Sequence, residues 1–213
     1  MTTTTQQSAP SLLLAGALAG PLYVGIGAVE AVVRDGYDIR RHSLSLLANG
    51  TGGWIHSTMM VVTGLLTVVG ALALRRAGLQ SRWAWGGILV YGGGVAAAGL
   101  MRADPADGFP IGTPLGLPET VSWHSFGHVI AGFIGFIGLI VACFVLARRF
   151  GRDNDRAWSR FSLITGIVYV LSLVGLGAGA GTTAGNLGFT VAVILGWAWL
   201  TLLMIRTRTE EIR

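Results

Sequence analysis

Four histidines and a small set of acids and arginines are the groups in this 213-residue chain with chemistry to offer. His124 and His128 stand four positions apart. On a helix both rings leave the same face and can hold one metal ion. His42, Asp104, Asp107 or Glu119 would supply a third ligand. A zinc ion held this way lowers the pKa of its bound water to about 7 and so supplies hydroxide, with Asp104 or Glu119 as the general base. That chemistry is metal-dependent hydrolysis. The competing reading is that His124 and His128 hydrogen-bond loop backbone and pin a lid.

A second chemistry is haem binding. His56 with His124 or His128 would be axial ligands from facing helices, which allows one b-type haem at most. A third reading is not catalytic. Glu30 lies about one turn inside a membrane boundary, where an ionisable group needs a partner. Arg34 at i+4 or Arg102 can provide one. Glu30, Arg34, Arg102, Asp107 and His56 would then line a polar pocket in a binding, transport or accessory membrane protein.

The elements that must position these residues are membrane spans. The hydrophobic fraction is 52%, the charged fraction 12% and the mean hydropathy +0.64. Soluble domains carry about 25% charged residues. Six apolar stretches approach the roughly 20 residues that cross a bilayer core, at about 11–33, 54–74, 83–101, 124–147, 158–179 and 185–205. Continuous apolar runs of this length are helices, because lipid offers no partner to open backbone groups. The predicted fold is an all-α, six-helix bundle forming one membrane domain over residues 11–205. A polar tail of residues 1–10 precedes it and a short tail of residues 206–213 follows.

All fifteen basic residues are arginine. Eleven fall between spans two and three, between spans four and five, or after span six. Arg34, Arg40, Arg41 and Arg102 fall on the other side. The positive-inside rule therefore predicts a multi-pass cell-membrane protein with both termini cytoplasmic. All four histidines and six of the ten acids then collect at the outer side. The implied partners are the bilayer and a lipid or small molecule at the outer face. Nucleic acid is excluded, because no soluble basic face exists to bind it. Cys143 is the single cysteine, so no disulfide forms within the chain.

Helical phase assigns faces. In span four, His124, His128, Ala131, Gly135, Gly138 and Ala142 share a small-residue stripe opposite Phe126, Phe133, Ile137, Ile140 and Phe144. Small stripes face protein and bulky ones face lipid, so both histidines are expected to point inward. In span two the inward face carries His56, Met60, Thr63, Thr67 and Gly70. In span one Glu30 shares a face with Tyr23, Ala19 and Gly16. Gly175 and Gly179 form a small-xxx-small pair in span five.

Two long connections lie at the histidine side. In the first, Ser43-Leu-Ser-Leu-Leu reads as a short interfacial helix. In the second, Pro105, Pro110, Pro114 and Pro118 exclude a helix and stiffen a lid. The segments Gly36-Tyr-Asp-Ile-Arg-Arg-His-Ser-Leu-Ser-Leu-Leu-Ala-Asn-Gly, Arg102-Ala-Asp-Pro-Ala-Asp-Gly-Phe-Pro-Ile-Gly-Thr-Pro and Ser122-Trp-His-Ser-Phe-Gly-His carry a resemblance. On these residues the chain resembles the bacterial membrane proteins of domain-of-unknown-function family 998, in their actinobacterial form. The resemblance implies a multispanning membrane protein and no particular activity. One departure is His56, where the family pattern commonly places Gln after Trp-Ile, and this argues against a general ligand role at that position.

Overall fold

The computed structural model describes residues 8–178 and 182–212. It is all-helical, with six helices long and apolar enough to span a membrane. These are α1 (Ser8–Val33), α2 (Gly53–Arg76), α3 (Arg82–Leu100), α4 (Trp123–Arg152), α5 (Arg156–Ala178) and α6 (Thr183–Ile212). Residues 1–7 of the expected tail lie outside the described residues, and Ser8–Pro10 already belong to α1. Residues 206–212, expected as a tail, continue α6 without a break. Each helix packs on its neighbours in the chain, and α1 packs on α6, so the six close into a ring.

Ring closure requires close backbone approach, and glycine permits it. A Cβ at Gly138 would come 2.6 Å from the Gly87 carbonyl, where α4 crosses α3. A Cβ at Gly64 would come 2.6 Å from the Gly92 carbonyl, where α2 crosses α3. The α1–α6 closure involves a proline. Pro21 has no N–H to offer the Ala17 carbonyl one turn earlier. The Thr201 hydroxyl of α6 donates to that carbonyl at 3.2 Å. Not every glycine works this way. Gly175, expected as half of a packing pair, would meet nothing within 4 Å, and Gly179 lies outside the described residues.

The interior carries aromatic rings from around the ring of helices. Tyr23 of α1 stacks on Trp197 of α6 at 4.9 Å, and Trp197 meets Tyr91 of α3 at 5.3 Å. Phe136 of α4 lies 6.2 Å from Tyr91 and 5.7 Å from Tyr169 of α5. His56 of α2 meets the edge of Tyr23 at 6.2 Å. Towards the arginine-rich end the core holds Leu13, Leu74, Leu139, Leu146 and Leu203, with the buried Trp199 Nε1–H donating to Ser162 Oγ at 2.9 Å.

The two long connections fold together over the opposite end, called here the loop end. Leu44–Ala48 forms a 3₁₀ helix where a short helix was expected. Residues 102–122 contain no helix, as their prolines require. Leu46, Leu47 and Phe109 form a small apolar core between the two loops.

The α3–α4 contact sets a stability expectation. Gly138→Leu forces bulk against the Gly87 backbone and should cost about 1–3 kcal/mol. Gly93→Leu, whose Cβ would meet nothing within 4 Å, should be near neutral. Thermal unfolding in detergent, followed by circular dichroism, checks the pair.

Candidate functional site

The histidines do not converge. His42 is buried in the cap. Its Nδ1 accepts the Asp38 N–H at 2.9 Å, so Nε2 carries the proton and donates to the Asp107 carbonyl at 3.0 Å. Both ring nitrogens are therefore committed to backbone. His128 is buried under the end of α3, where its Nδ1–H is shared between the Ala98 and Met101 carbonyls, each at 2.8 Å. His124 does not face inward: it is exposed in the first turn of α4 and stacks on Trp123. In that turn the buried position is taken by Ser125, three residues before His128, while His124 is exposed. Among the described residues no three His, Cys, Asp or Glu side chains gather as a metal site would require.

The acids of the second loop are spent on architecture. Asp104 accepts the Ser122 N–H at 2.7 Å, and its own N–H donates to Ser125 Oγ at 3.2 Å, which fixes the start of α4. Ser122 caps that helix through the Ser125 N–H. Desolvation pushes the Asp104 carboxyl up, but the bonds from Ser122 and Ser125 outweigh it and hold it below its ordinary value. Asp107 ties the loops together. Arg41 Nε donates to its Oδ2 at 3.0 Å, and the Gly116 N–H donates to Oδ1 at 3.1 Å. The Arg41 guanidinium, then that N–H, holds the Asp107 carboxyl below its ordinary value. Glu119 and Arg102 are exposed and join neither arrangement.

Three of the expected pocket residues do meet, one turn inside the loop end. Glu30 and His56 are 4% and 0% exposed. His56 Nδ1 lies 2.8 Å from Glu30 Oε2. Arg34 Nη1 faces Glu30 Oε1 at 3.5 Å, an ion pair without hydrogen-bond geometry. Toward an ionised Glu30 it is Nδ1 that donates, and in the neutral imidazole Nε2 then presents a lone pair. That Nε2 is buried and has no hydrogen-bond partner. Deeper in the ring, Trp197 Nε1–H is likewise buried without a partner. The cluster is packed: at 0% exposure the His56 ring borders neither solvent nor a water-sized void.

Arg102, offered in the sequence as a partner for Glu30, is not one, and Asp107 serves the cap instead. Asn49 and Asn186 escaped the sequence reading. Asn49 Nδ2 donates to the Ala103 carbonyl at 3.0 Å, joining the two loops. Asn186 Nδ2 donates to the Arg41 carbonyl at 2.6 Å, fastening the cap to α6. A lone amide in the first turn of an apolar helix was the signal available for Asn186.

The lowered Asp107 carboxyl fixes a pH response. A group whose folded pKa is depressed stabilises above its unfolded pKa, and that contribution vanishes as pH falls through the folded value. Hydrogen-exchange protection of residues 103–118, corrected for intrinsic rates, should hold from neutrality down and fall only below about pH 4. Asp107→Asn should lower protection at neutral pH and shrink the acid step to the part that Asp104 carries.

The family model described as "Protein of unknown function (DUF998)" matches residues 17–206. No curated protein matches the chain. No solved structure matches it either. The family match covers nearly all of the chain, which therefore belongs to that family.

Proposed function

We propose that this member of the DUF998 family is a non-enzymatic, multi-pass membrane protein that takes up a proton at the Glu30–His56 pair. The loop end is read as facing outward, in keeping with the arginines at the opposite end. The observation that carries the proposal is the buried, unpartnered Nε2 of His56 beside a buried carboxylate. A carboxylate on Nδ1 fixes the tautomer and leaves Nε2 as the open acceptor. An open acceptor normally calls for a water, an ammonium group or a metal. Each of those needs room, and His56 has none. A proton needs no cavity. Protonation would turn the pair from one buried charge into two opposite charges 2.8 Å apart, a change in local field that a transport or sensing cycle can use.

Hydrolysis has less support. It asks His42, His124 and His128 to share an ion, whereas both ring nitrogens of His42 are engaged by backbone, His124 lies exposed, and no such cluster gathers among the described residues. Haem has less support because His56 sits in a packed interior. The residue that resemblance places at position 56 is Gln, which cannot titrate, so the proposal concerns this chain rather than every relative.

The test uses protein in lipid nanodiscs, with ¹⁵N-histidine NMR between pH 8 and pH 5. One imidazole titration should be present in the wild type and absent in His56→Gln. Glu30→Gln, which removes the carboxylate facing Nδ1, should alter that signal's response to pH. Identical titrations in wild type and His56→Gln would sink the proposal. Stoichiometric zinc that survives purification and is lost in a His124→Ala/His128→Ala variant would return the hydrolase reading in its place.

A further inference from the structure

We infer that Arg34 is a positioning residue that couples the charge of Glu30 to the cap over the loop end, an inference that rests on the proton-binding reading above. Arg34 belongs to both layers at once. It stands one helical turn after Glu30, just beyond the end of α1. Its Nη1 faces Glu30 Oε1 at 3.5 Å inside the bundle. The same nitrogen donates to the Leu47 carbonyl at 3.1 Å in the cap, and Nη2 donates to the Asn49 carbonyl. These two carbonyls lie at the C-terminal end of the 3₁₀ helix, where backbone acceptors lack helical donors. Phe109 of the second loop lies 5.5 Å from the guanidinium carbon, so the cation also touches the other half of the cap.

The nook is shaped for this group. A Cβ at Gly50 would come 3.1 Å from Arg34 Nη2, and one at Gly52 would come 3.1 Å from Nη1. Gly50 also has φ +72°, a conformation side chains rarely adopt. Two glycines and two carbonyls thus surround a planar fork that an ammonium group could not fill in the same way. The side chain is 15% exposed.

One cation is thereby shared between a carboxylate that the proton-binding reading makes variable and a cap that has few other ties to the interior. With Glu30 charged and His56 neutral, Arg34 is, among the described residues, the only full counter-charge within ion-pair reach of the carboxylate. Once the pair takes a proton, the imidazolium offsets that charge and the carboxylate holds Arg34 less strongly. The guanidinium then gains freedom, and the Leu47 and Asn49 carbonyls lose a fixed donor. Other titratable groups near Glu30 are Tyr23 on α1 and Tyr37 in the first loop, and burial pushes the Tyr37 hydroxyl well above its ordinary value. The nearby charges Asp38, Arg40, Arg41 and Asp107 pair among themselves at the surface.

Hydrogen-exchange mass spectrometry on nanodisc-embedded protein tests this in residues 44–52, at pH 8 and pH 5 and corrected for intrinsic rates. The wild-type segment should exchange about fivefold faster at pH 5, the factor carried by one modest interaction. Glu30→Gln should be fast at both pH values. Arg34→Lys keeps the charge but not the fork. It should loosen the segment, flatten its pH response and move the His56 NMR midpoint. Gly52→Ala crowds the guanidinium with every charge intact and should do the same in weaker form, which keeps the test open if an Arg34 variant folds poorly. A purely structural Arg34 would loosen the cap in Arg34→Lys while leaving the His56 midpoint in place, and that result overturns the inference. So does wild-type protection in Glu30→Gln. If His56 does not titrate in the wild type, the functional reading falls by itself; whether Glu30→Gln loosens the cap still decides the coupling of Arg34 to Glu30.

Discussion

A carboxylate one turn inside a bilayer has to bring its counter-charges with it. Exposing an acid at membrane depth costs about 3 kcal/mol even on lenient scales, and leaving a buried charge unpaired costs several. Glu30 meets that constraint with Arg34 on its own helix and His56 on the next. Much of the architecture at the loop end follows. Arg34 stays beside Glu30, so its remaining donors must find acceptors nearby. The first loop turns back to supply the Leu47 and Asn49 carbonyls. The second loop supplies the face of Phe109. Gly50 and Gly52 leave space for the guanidinium. The cap is thus built around a charge that belongs to the bundle.

The ring of helices obeys a different constraint. Without water to drive helices together, close van der Waals approach and satisfied polar groups hold them. Glycines at the α2–α3 and α3–α4 crossings give that approach, and Thr201 supplies the donor that Pro21 removes from α1. Aromatic rings fill the centre of the ring. The Glu30–His56 contact lies on the loop side of that layer. Trp197 Nε1–H and Tyr169 OH, both buried and unpartnered, are donors of the aromatic layer without an evident place in this scheme.

Much of this was legible in the residues. The six spans follow from apolar run length, and the inward faces of α1 and α2 follow from a period of 3.6, which placed Glu30, Tyr23, His56, Thr63 and Gly70 correctly in the interior. Depth was legible too, since Glu30 and His56 each lie about one turn from the same end. Combining phase with depth would have paired them; considered separately, Glu30 was matched to Arg34 or Arg102 and His56 to a haem. The misreading of His124 has a physical cause. His124 at i−4 and Ser125 at i−3 both lie near the stripe through His128, and the packing of the first turn buries Ser125 rather than His124.

Run length and composition by themselves determined the class of the protein, the number of spans and the face each of the first two helices turns inward. Those properties are local: they depend on transfer of side chains from water to hydrocarbon and on helix geometry, both readable from one segment at a time. Tertiary structure alone decided which donors and acceptors meet. Arg41 reaches Asp107 across 66 residues, and Asn186 reaches Arg41 across 145. Hydrogen bonds are short-ranged and directional, so their partners are chosen only when the loops have folded and the ring has closed. That is why a His-x-x-x-His spacing suited to metal became two separate contacts at the loop end, and why the buried polar pair is a carboxylate and an imidazole from different helices.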